Sequence, residues 1–399
     1  MELTPKITIA LAVYNQQACI RNSIQRLLKQ TVGDMEILCI DDGSTDGSLD
    51  IMKSLAATEQ RIRIVAASHA GVSAARNRAI DEAHGEWLIF HDPDDSFAND
   101  DSVAKLLSSV ESHNEIQVVG GSFSIYDEET DTTRLDFSDD SLLWGYTLPA
   151  DGVIDYADYQ FDYGFHRFMF RTEFLKNHED LRFPPYTRYQ DPPFLARALF
   201  TAKRFMAVHD VVYRYSLGHQ EIQWTAAKKL GVLNGLTDEL ALSDQYHLAK
   251  LHDLAIRRLE KEYAGLYWWM LDEDPDILGA AVRLNALVRE SLLSEEMRNK
   301  VTDNGAHTPL TFPLRQQIAN SAKWHEDVNN LQNAVLAERR DKERAWKDNQ
   351  HIADELAKTS NALVAANNAL TAIKKSVSFR VGRLITAPLR ALRDSLHKQ

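Results

Sequence analysis

Four short apolar segments in the first hundred residues each end directly before a cluster of polar residues. These segments cover residues 7–13, 36–40, 63–66 and 87–90, and helical patterns separate them. Strands that alternate with helices predict an α/β fold whose sheet is mostly parallel and covered on both faces. Ligands in such folds bind beyond the carboxyl ends of the strands. The functional residues are therefore expected in the loops that follow these four strands.

Each predicted strand leads into residues of a different chemical character. The first strand is followed by Tyr14 and Asn15, and the second by the turn-forming run 41–47. The third is followed by residues 69–77, which end in Arg76 and Asn77, and the fourth by the acidic run 92–95. Because the carboxyl ends of parallel strands meet at one edge of a sheet, these clusters are expected to converge there.

The acidic run after the fourth strand predicts a divalent metal site. Asp92, Asp94 and the neighbouring Asp95 crowd negative charge, which is costly unless a cation neutralises it. Mg2+ and Mn2+ take oxygen ligands, and they bridge one or two carboxylates to substrate phosphates. The alternative is a plain acidic turn, because Asp-Pro-Asp is a common turn former.

Three further residues have the chemistry to hold a nucleotide. Tyr14 can stack on a planar base, and Asp42 can accept a hydrogen bond from it. The alternative for Asp42 is a capping role in its turn, which is the commoner fate of such a cluster. Arg76 can bind a phosphate with its guanidinium fork, and its alternative is a surface salt bridge.

In combination, these clusters resemble the family 2 glycosyltransferases, which adopt the GT-A fold. The segments that carry the resemblance are AVYNQ (12–16), IDDGSTDGS (40–48), HAGVSAARNRAI (69–80) and WLIFHDPDD (87–95). The resemblance is close over residues 5–100 and weaker to about residue 220. It implies a GT-A domain over residues 1–225. Pro93 and Ala12 depart from the residues most frequent in the family at those positions.

The resemblance also implies the site residues. The nucleotide-sugar site is expected to involve Ala12, Tyr14, Asn15, Asp42, Arg76 and Asp92. Asp92 and Asp94 are expected to hold Mn2+ or Mg2+ as the cofactor. The segment RYQDPPF (188–194) is similar to one that carries the catalytic base, which makes Asp191 the candidate. Asp191 also begins a predicted helix ahead of Pro192, and both roles are compatible. Apart from the resemblance, His219 follows the apolar run 211–215 and is a candidate contact to the acceptor or to phosphate; the alternative is a structural histidine.

The remainder of the chain predicts three further regions. Residues 226–322 have a helical texture, and residues 323–373 contain interrupted apolar heptads that predict a coiled coil and a homo-oligomer. The alternative is a long solvated helix. Residues 374–399 carry seven Lys or Arg residues against one acid. This basic amphipathic tail predicts peripheral contact with an anionic membrane surface, or else with a partner helix.

Charge and cysteine content narrow the class of protein. The 399 residues carry a formal charge of −13, which argues against a nucleic-acid binder. Two cysteines, no signal-peptide pattern and no long apolar run predict a cytoplasmic protein, and the basic tail places it at the inner face of the cell membrane.

The sequence thus predicts an inverting glycosyltransferase. It would move a sugar from a nucleotide-diphosphate donor to a hydroxyl of a glycan or lipid-linked acceptor, in surface polysaccharide synthesis. A sugar nucleotidyltransferase is a weak rival, because residues 9–15 lack the glycines of a triphosphate loop. The other rival is a non-catalytic scaffold subunit held together by the coiled coil, and the intact acidic residues argue against it.

Overall fold

The computed structural model describes residues 4–127, 130–134, 147–217, 223–261, 275–302, 361–369 and 371–372. The chain divides into two compact units. The first contains residues 1–257 and 289–294, and the second contains residues 258–288 and 295–399. Within the described ranges, no helix has the length and apolar character needed to cross a bilayer. The candidate site lies in the first unit.

Strands and helices alternate through the first hundred residues, as the apolar pattern predicts. The strands are β1 (Ile7–Val13), β2 (Met35–Asp41), β3 (Ile62–Ala66), β4 (Trp87–His91), β5 (Ser96–Phe97), β6 (Val118–Asp127), β7 (Thr132–Arg134), β8 (Gly152–Asp155), β9 (Phe168–Arg171) and β10 (Arg204–Leu217). The helices are α1 (Ile20–Leu27), α2 (Ser48–Ala56), α3 (Val72–Glu82), α4 (Ser102–Ser108), α5 (Tyr156–Tyr159), α6 (Thr172–Lys176), α7 (Asp191–Ala202), α8 (Ala226–Tyr246), α9 (Ala249–Lys261), α10 (Pro275–Ala286) and α11 (Glu295–Thr302). Single 3-10 turns occupy Phe165–Arg167 and Glu290–Leu292.

The ten strands form one sheet in the order β3-β2-β1-β4-β9-β6-β10-β5, with β7 on β6 and β8 on β10. The first four strands along this order are parallel, as predicted. β9 then runs antiparallel to both of its neighbours, and β6 and β10 are again parallel to each other. The sheet is therefore mixed rather than mostly parallel. The prediction failed here because the sequence between residues 116 and 215 has no regular strand-helix alternation, so the short β9 gave no signal.

Alternation along β1 shows how the sheet is fixed between two apolar layers. Ile9 and Leu11 pack in the cluster that contains the inner face of α1, whereas Ala10 packs in the cluster that contains α3 and α7. Both layers exclude water from the sheet. Each fully buried Ile or Leu side chain contributes about 1.5–3 kcal/mol to the free energy of folding. The rigid sheet leaves the loops at the carboxyl ends of its strands open to ligands.

Several predictions concern parts of the chain outside the described residues. Most of the predicted coiled coil (323–373) and all of the basic tail (374–399) lie there, although residues 361–369 and 371–372 are helical. The homo-oligomer, the membrane contact and the cytoplasmic location therefore stay predictions. The boundary predicted between residues 225 and 226 also stays a prediction.

Candidate active site

The strand order brings three of the predicted loops side by side. β1 lies between β2 and β4, with Val13 opposite Asp41 on one side and Leu11 opposite His91 on the other. The loops that follow these strands contain Tyr14, Asp42 and Asp92, so the three side chains emerge from one edge of the sheet. Ala12 lies half-buried within β1 and pairs with Ile40. Because the Ala12 side chain is a methyl group, only its backbone can form a polar contact with a ligand.

Asn15 holds two loops together. Its backbone is left-handed, with φ of 52°, a conformation that Asn tolerates better than most residues. The Asn15 side-chain oxygen accepts a hydrogen bond from the Thr45 backbone N–H at 2.8 Å. In return, the Asn15 backbone N–H donates to the Ser44 hydroxyl at 3.1 Å. The side chain predicted to bind a donor therefore fixes the loop after β1 against the loop after β2.

The Asp42 carboxylate organises the loop that leads into α3. It is buried, and its two oxygens accept hydrogen bonds from the backbone N–H groups of Ala70 and Gly71 at 2.8 and 2.9 Å. Gly71 has φ of 93° and directly precedes α3, a conformation that glycine adopts without strain. Asp42 thus has the capping role that was its alternative, but it caps the backbone of the loop before α3 and not that of its own turn.

His69 joins this group, although no sequence pattern selects it. Its ring stacks on Tyr14, with 4.1 Å between ring centroids and 24° between planes. Its Nδ1 atom lies 2.9 Å from Asp42 Oδ2. A histidine in a loop carries no pattern that separates it from a solvated residue, which is why sequence analysis missed it.

Arg76 and Asp92 form a largely buried ion pair. Arg76 Nη2 donates to Asp92 Oδ1 at 2.8 Å, and the guanidinium lies 4.4 Å from the centroid of the Phe165 ring. Burial acts to raise the pKa of Asp92, but the charge of Arg76 and its hydrogen bond outweigh burial and hold that pKa below its usual range. Among the described residues, Arg76 Nη1 has no hydrogen-bond partner. Asp92 is therefore ionised at neutral pH, and the guanidinium keeps a donor for a further anion.

The neighbouring carboxylates have separate environments. Asp94 is half-buried and lines an open groove of about 820 Å³ beside Cys19 and Arg26 of the α1 region. Asp95 points into the fold, where it accepts hydrogen bonds from the Tyr213 hydroxyl and the Ser216 backbone N–H, both at 2.8 Å. Burial, with Asp92 and Asp94 nearby, raises the pKa of Asp95 well above its usual range. Asp95 is thus a structural residue, and Asp92 and Asp94 remain as candidate ligands.

A cluster of buried rings supports this acidic loop from below. The Tyr213 hydroxyl accepts a hydrogen bond from the Asp92 backbone N–H at 3.2 Å, and the His166 ring lies 4.2 Å from the Tyr213 ring. Burial lowers the pKa of His91 to about 4 and that of His166 to about 3, so both are neutral at physiological pH. Sequence analysis missed the role of Tyr213 because its position in β10 resembles ordinary core.

Asp191 is the first residue of α7, directly ahead of two prolines. The predicted helix start is therefore present. The pKa of Asp191 is raised, chiefly because the carboxyl is buried. The charges of Arg76 and Arg188 act to lower this pKa, whereas the charge of Asp92 raises it further. The influence of Arg76 and Asp92 on this carboxyl places it in the same electrostatic environment as the ion pair. Asp191 thus lies near the Arg76–Asp92 pair, although it is distant from both residues in the sequence.

Two glycines of α8 let the helix approach the loop that carries Asp191. A Cβ atom on Gly231 would lie 2.6 Å from the Arg188 carbonyl oxygen, and one on Gly235 would clash with the Tyr189 carbonyl oxygen. Tyr189 itself is held at φ of 61°, and its hydroxyl donates to Glu239 of the same helix at 3.2 Å. The backbone of α8 therefore sets the position of residues 188–190. The spacing of these glycines was visible in the sequence, but nothing there showed which surface they face.

Substituting Gly235 with Ala is expected to displace this loop and to lower the rate of any reaction that uses Asp191 by about tenfold or more. The new methyl group would meet the backbone of Tyr189, which cannot move aside as a flexible side chain would. Steady-state kinetics and thermal unfolding would measure the effect. Gly33→Ala is the matched control, because no atom lies within 4 Å of its added Cβ. Equal behaviour of the two variants would contradict the positioning role.

His219 lies outside the described residues, so its predicted contact is not described. No group of three or more His, Cys, Asp or Glu side chains suited to a metal ion occurs within the described ranges. Asp92 and Asp94 would therefore supply two carboxylates at most, and further ligands would have to come from substrate or water.

Comparison with known proteins shows which family part of this chain resembles. Residues 8–178 match the model of glycosyl transferase family 2, which confirms the predicted resemblance. The chain is 28% identical over 222 residues to the uncharacterized glycosyltransferase EpsJ of Bacillus subtilis, covering 53% of this chain and 61% of that protein. It is 37% identical over 92 residues to the putative glycosyltransferase EpsH of the same organism, covering 23% of this chain and 27% of that protein. The chain thus spans less than two thirds of each of these relatives.

The fold also has a counterpart among solved structures. Residues 1–349 of S. aureus TarS, crystallised in complex with UDP-GlcNAc, superpose with a TM-score of 0.59 at 18% sequence identity. The match covers 77% of this chain and 90% of that chain. At this identity the similarity establishes a shared fold, and it confirms the predicted GT-A-like α/β architecture of the N-terminal region.

Proposed function

We propose that this chain, a relative of the family 2 glycosyltransferases over residues 8–178, transfers a sugar from a nucleotide-diphosphate donor to a hydroxyl of a glycan or lipid-linked acceptor, with inversion at the anomeric carbon. The observation that carries the proposal is the gathering of Arg76, Asp92 and Asp191 at the edge where the loops after β1 and β2 also end. A scaffold protein would have no need to keep a buried arginine with an unused donor beside two carboxylates.

On the donor side, the side chains present match the parts of a nucleotide sugar. Tyr14 is 41% exposed, so its ring can stack on a base, and Asp42 lies beside it. The unused Nη1 donor of Arg76 suits a phosphate oxygen, because guanidinium forms charge-assisted hydrogen bonds to oxyanions. The TarS complex contains UDP-GlcNAc, so UDP-sugars are the first donors to test.

The acidic loop fits a divalent ion of the Mg2+ or Mn2+ type. Such ions take oxygen ligands and are often held by one or two carboxylates, with substrate phosphates completing the coordination. Asp92 is ionised and Asp94 is half-buried at the rim of the open groove, so both have the required character. When bound, the ion would neutralise the negative charge that develops on the departing diphosphate.

On the acceptor side, Asp191 is the proposed general base. Its carboxylate would accept the proton of the acceptor hydroxyl while that oxygen bonds to the anomeric carbon. The bond from this carbon to the diphosphate oxygen breaks on the opposite face, which inverts the configuration. The raised pKa of Asp191 brings its basicity closer to neutral pH, where a general base works best.

Isothermal titration of the purified chain with UDP-, GDP-, CDP- and dTDP-sugars, each with Mn2+ and again with EDTA, tests the proposal. We expect one donor to bind in a metal-dependent way. Asp94→Asn is expected to weaken that binding about tenfold, a loss of about 1.4 kcal/mol. Asp100→Asn is the control, because this exposed residue lies further along the same segment. Binding of no donor would refute the proposal and favour the scaffold alternative.

A further inference from the structure

We propose that His69 holds the place of the nucleotide base in the unliganded protein, so that base and imidazole compete for the same two partners. The inference rests on the proposed function, which assigns the base to Tyr14 and Asp42. His69 already makes both kinds of contact that this assignment gives to the base. It lies face to face with Tyr14 at 4.1 Å, and its Nδ1 lies 2.9 Å from Asp42 Oδ2.

An imidazole and a nucleotide base share the features that these partners recognise. Both are flat aromatic rings with a nitrogen donor in the ring plane. Stacking of two aromatic rings is favourable, and a hydrogen bond to a carboxylate is stronger than one between neutral groups. A base that enters beside Asp42 can therefore regain what is lost when His69 leaves. The displacement is an exchange of similar contacts.

The Asp42 carboxylate is set to receive one donor of this kind. The backbone N–H groups of Ala70 and Gly71 each bond to one of its oxygens and fix its orientation. The His69 Nδ1 atom lies 2.9 Å from Oδ2 and 3.1 Å from the Asp42 backbone oxygen, so the imidazole is a third partner of a residue that is otherwise firmly held. The carboxylate stays in place when this partner changes.

The exchange requires only a side-chain movement. The backbone of His69 is held closely, because a Cβ on Gly43 would lie 2.8 Å from the His69 backbone nitrogen and Gly43 has φ of 72°. The His69 side chain, in contrast, is 54% exposed. Rotation about its side-chain bonds moves the ring toward solvent and uncovers the Tyr14 face. Such rotamer changes of exposed residues are fast compared with ligand dissociation.

If His69 competes with the base, its removal strengthens nucleotide binding. The apparent dissociation constant is the intrinsic one divided by the fraction of molecules with an open site. We expect His69→Ala to bind UDP in the presence of Mn2+ roughly five- to tenfold more tightly than the wild type does. Tyr14→Ala is expected to weaken UDP binding in the same titration, because it removes the stacking surface from both competitors.

Inorganic pyrophosphate with Mn2+ is the control ligand, since it has no base. Its affinity is expected to be the same in the wild type and in His69→Ala. Weaker UDP binding by His69→Ala would show that the imidazole assists the base, and unchanged binding would show that the two do not meet; either result overturns the proposal. Failure of both UDP and pyrophosphate to bind the wild type would instead count against the proposed function, and this inference would fall with it.

Discussion

Replacing Asp191 with Asn is expected to lower the rate of sugar transfer by about a thousandfold while donor binding changes little. The amide has the shape of the carboxylate but cannot accept the proton of the acceptor hydroxyl. The donor contacts proposed for Tyr14, Asp42 and Arg76 remain in place. Single-turnover transfer and donor titration, measured on the same preparation, separate the two effects. A fall in donor affinity equal to the fall in rate would contradict a role for Asp191 as base.

The pH dependence and the stability of this variant provide two independent checks. Burial raises the pKa of Asp191, so the ionised base is lost, and the rate falls, at a pH above the ordinary aspartate value of about 4. Burial also makes the ionised form of Asp191 destabilising. Above the raised pKa the folded protein is less stable than it would be without this carboxyl, because Asp191 ionises more readily in the unfolded chain. Asp191→Asn is therefore expected to keep or raise Tm at neutral pH. A lower Tm would indicate that lost activity reflects misfolding.

The sequence predicted the part of the fold that obeys a simple alternation. The four strands that precede Tyr14, Asp42, Arg76 and Asp92 are short apolar runs separated by helical patterns, and they lie side by side in the sheet in the order β3-β2-β1-β4. The mixed half of the sheet escaped prediction because β9 has four residues and pairs through contacts distant in sequence. Pattern analysis detects periodicity within a short segment, and pairing between distant segments produces no such periodicity.

In the candidate site, the sequence predicted the chemical groups but not their surroundings. Residue types and spacing indicated carboxylates and a guanidinium, but they did not separate Asp95, which is buried and structural, from Asp94 beside it. They also could not show that Asn15 bonds to the neighbouring loop, or that His69 stacks on Tyr14. Burial and partners decide what a polar side chain does, and these depend on parts of the chain that meet only after folding.

The second large effect is expected at Arg76, where stability and activity can be separated. Arg76→Met leaves Asp92 ionised without its guanidinium partner and removes the cation above the Phe165 ring. Breaking a buried pair in this way costs about 3–5 kcal/mol, and the partial exposure of Asp92 reduces the expected loss to about 2–4 kcal/mol. Denaturant unfolding measures this loss directly. Arg78→Met is the matched control, because Arg78 is 54% exposed and its ion pair with Glu82 on the same helix contributes about 0.3–0.5 kcal/mol.

The double variant Arg76→Met with Asp92→Asn distinguishes the two roles of the pair. Removing the second charge leaves no unpaired ion in the site, so most of the lost unfolding free energy is expected to return. Transfer activity is not expected to return, because the donor for phosphate and one proposed metal ligand are both gone. Arg76→Lys should fall between the single variant and the wild type, since an ammonium keeps the charge but lacks the planar fork. A double variant that is no more stable than Arg76→Met, or that regains activity, would show that Arg76 serves the site in some other way.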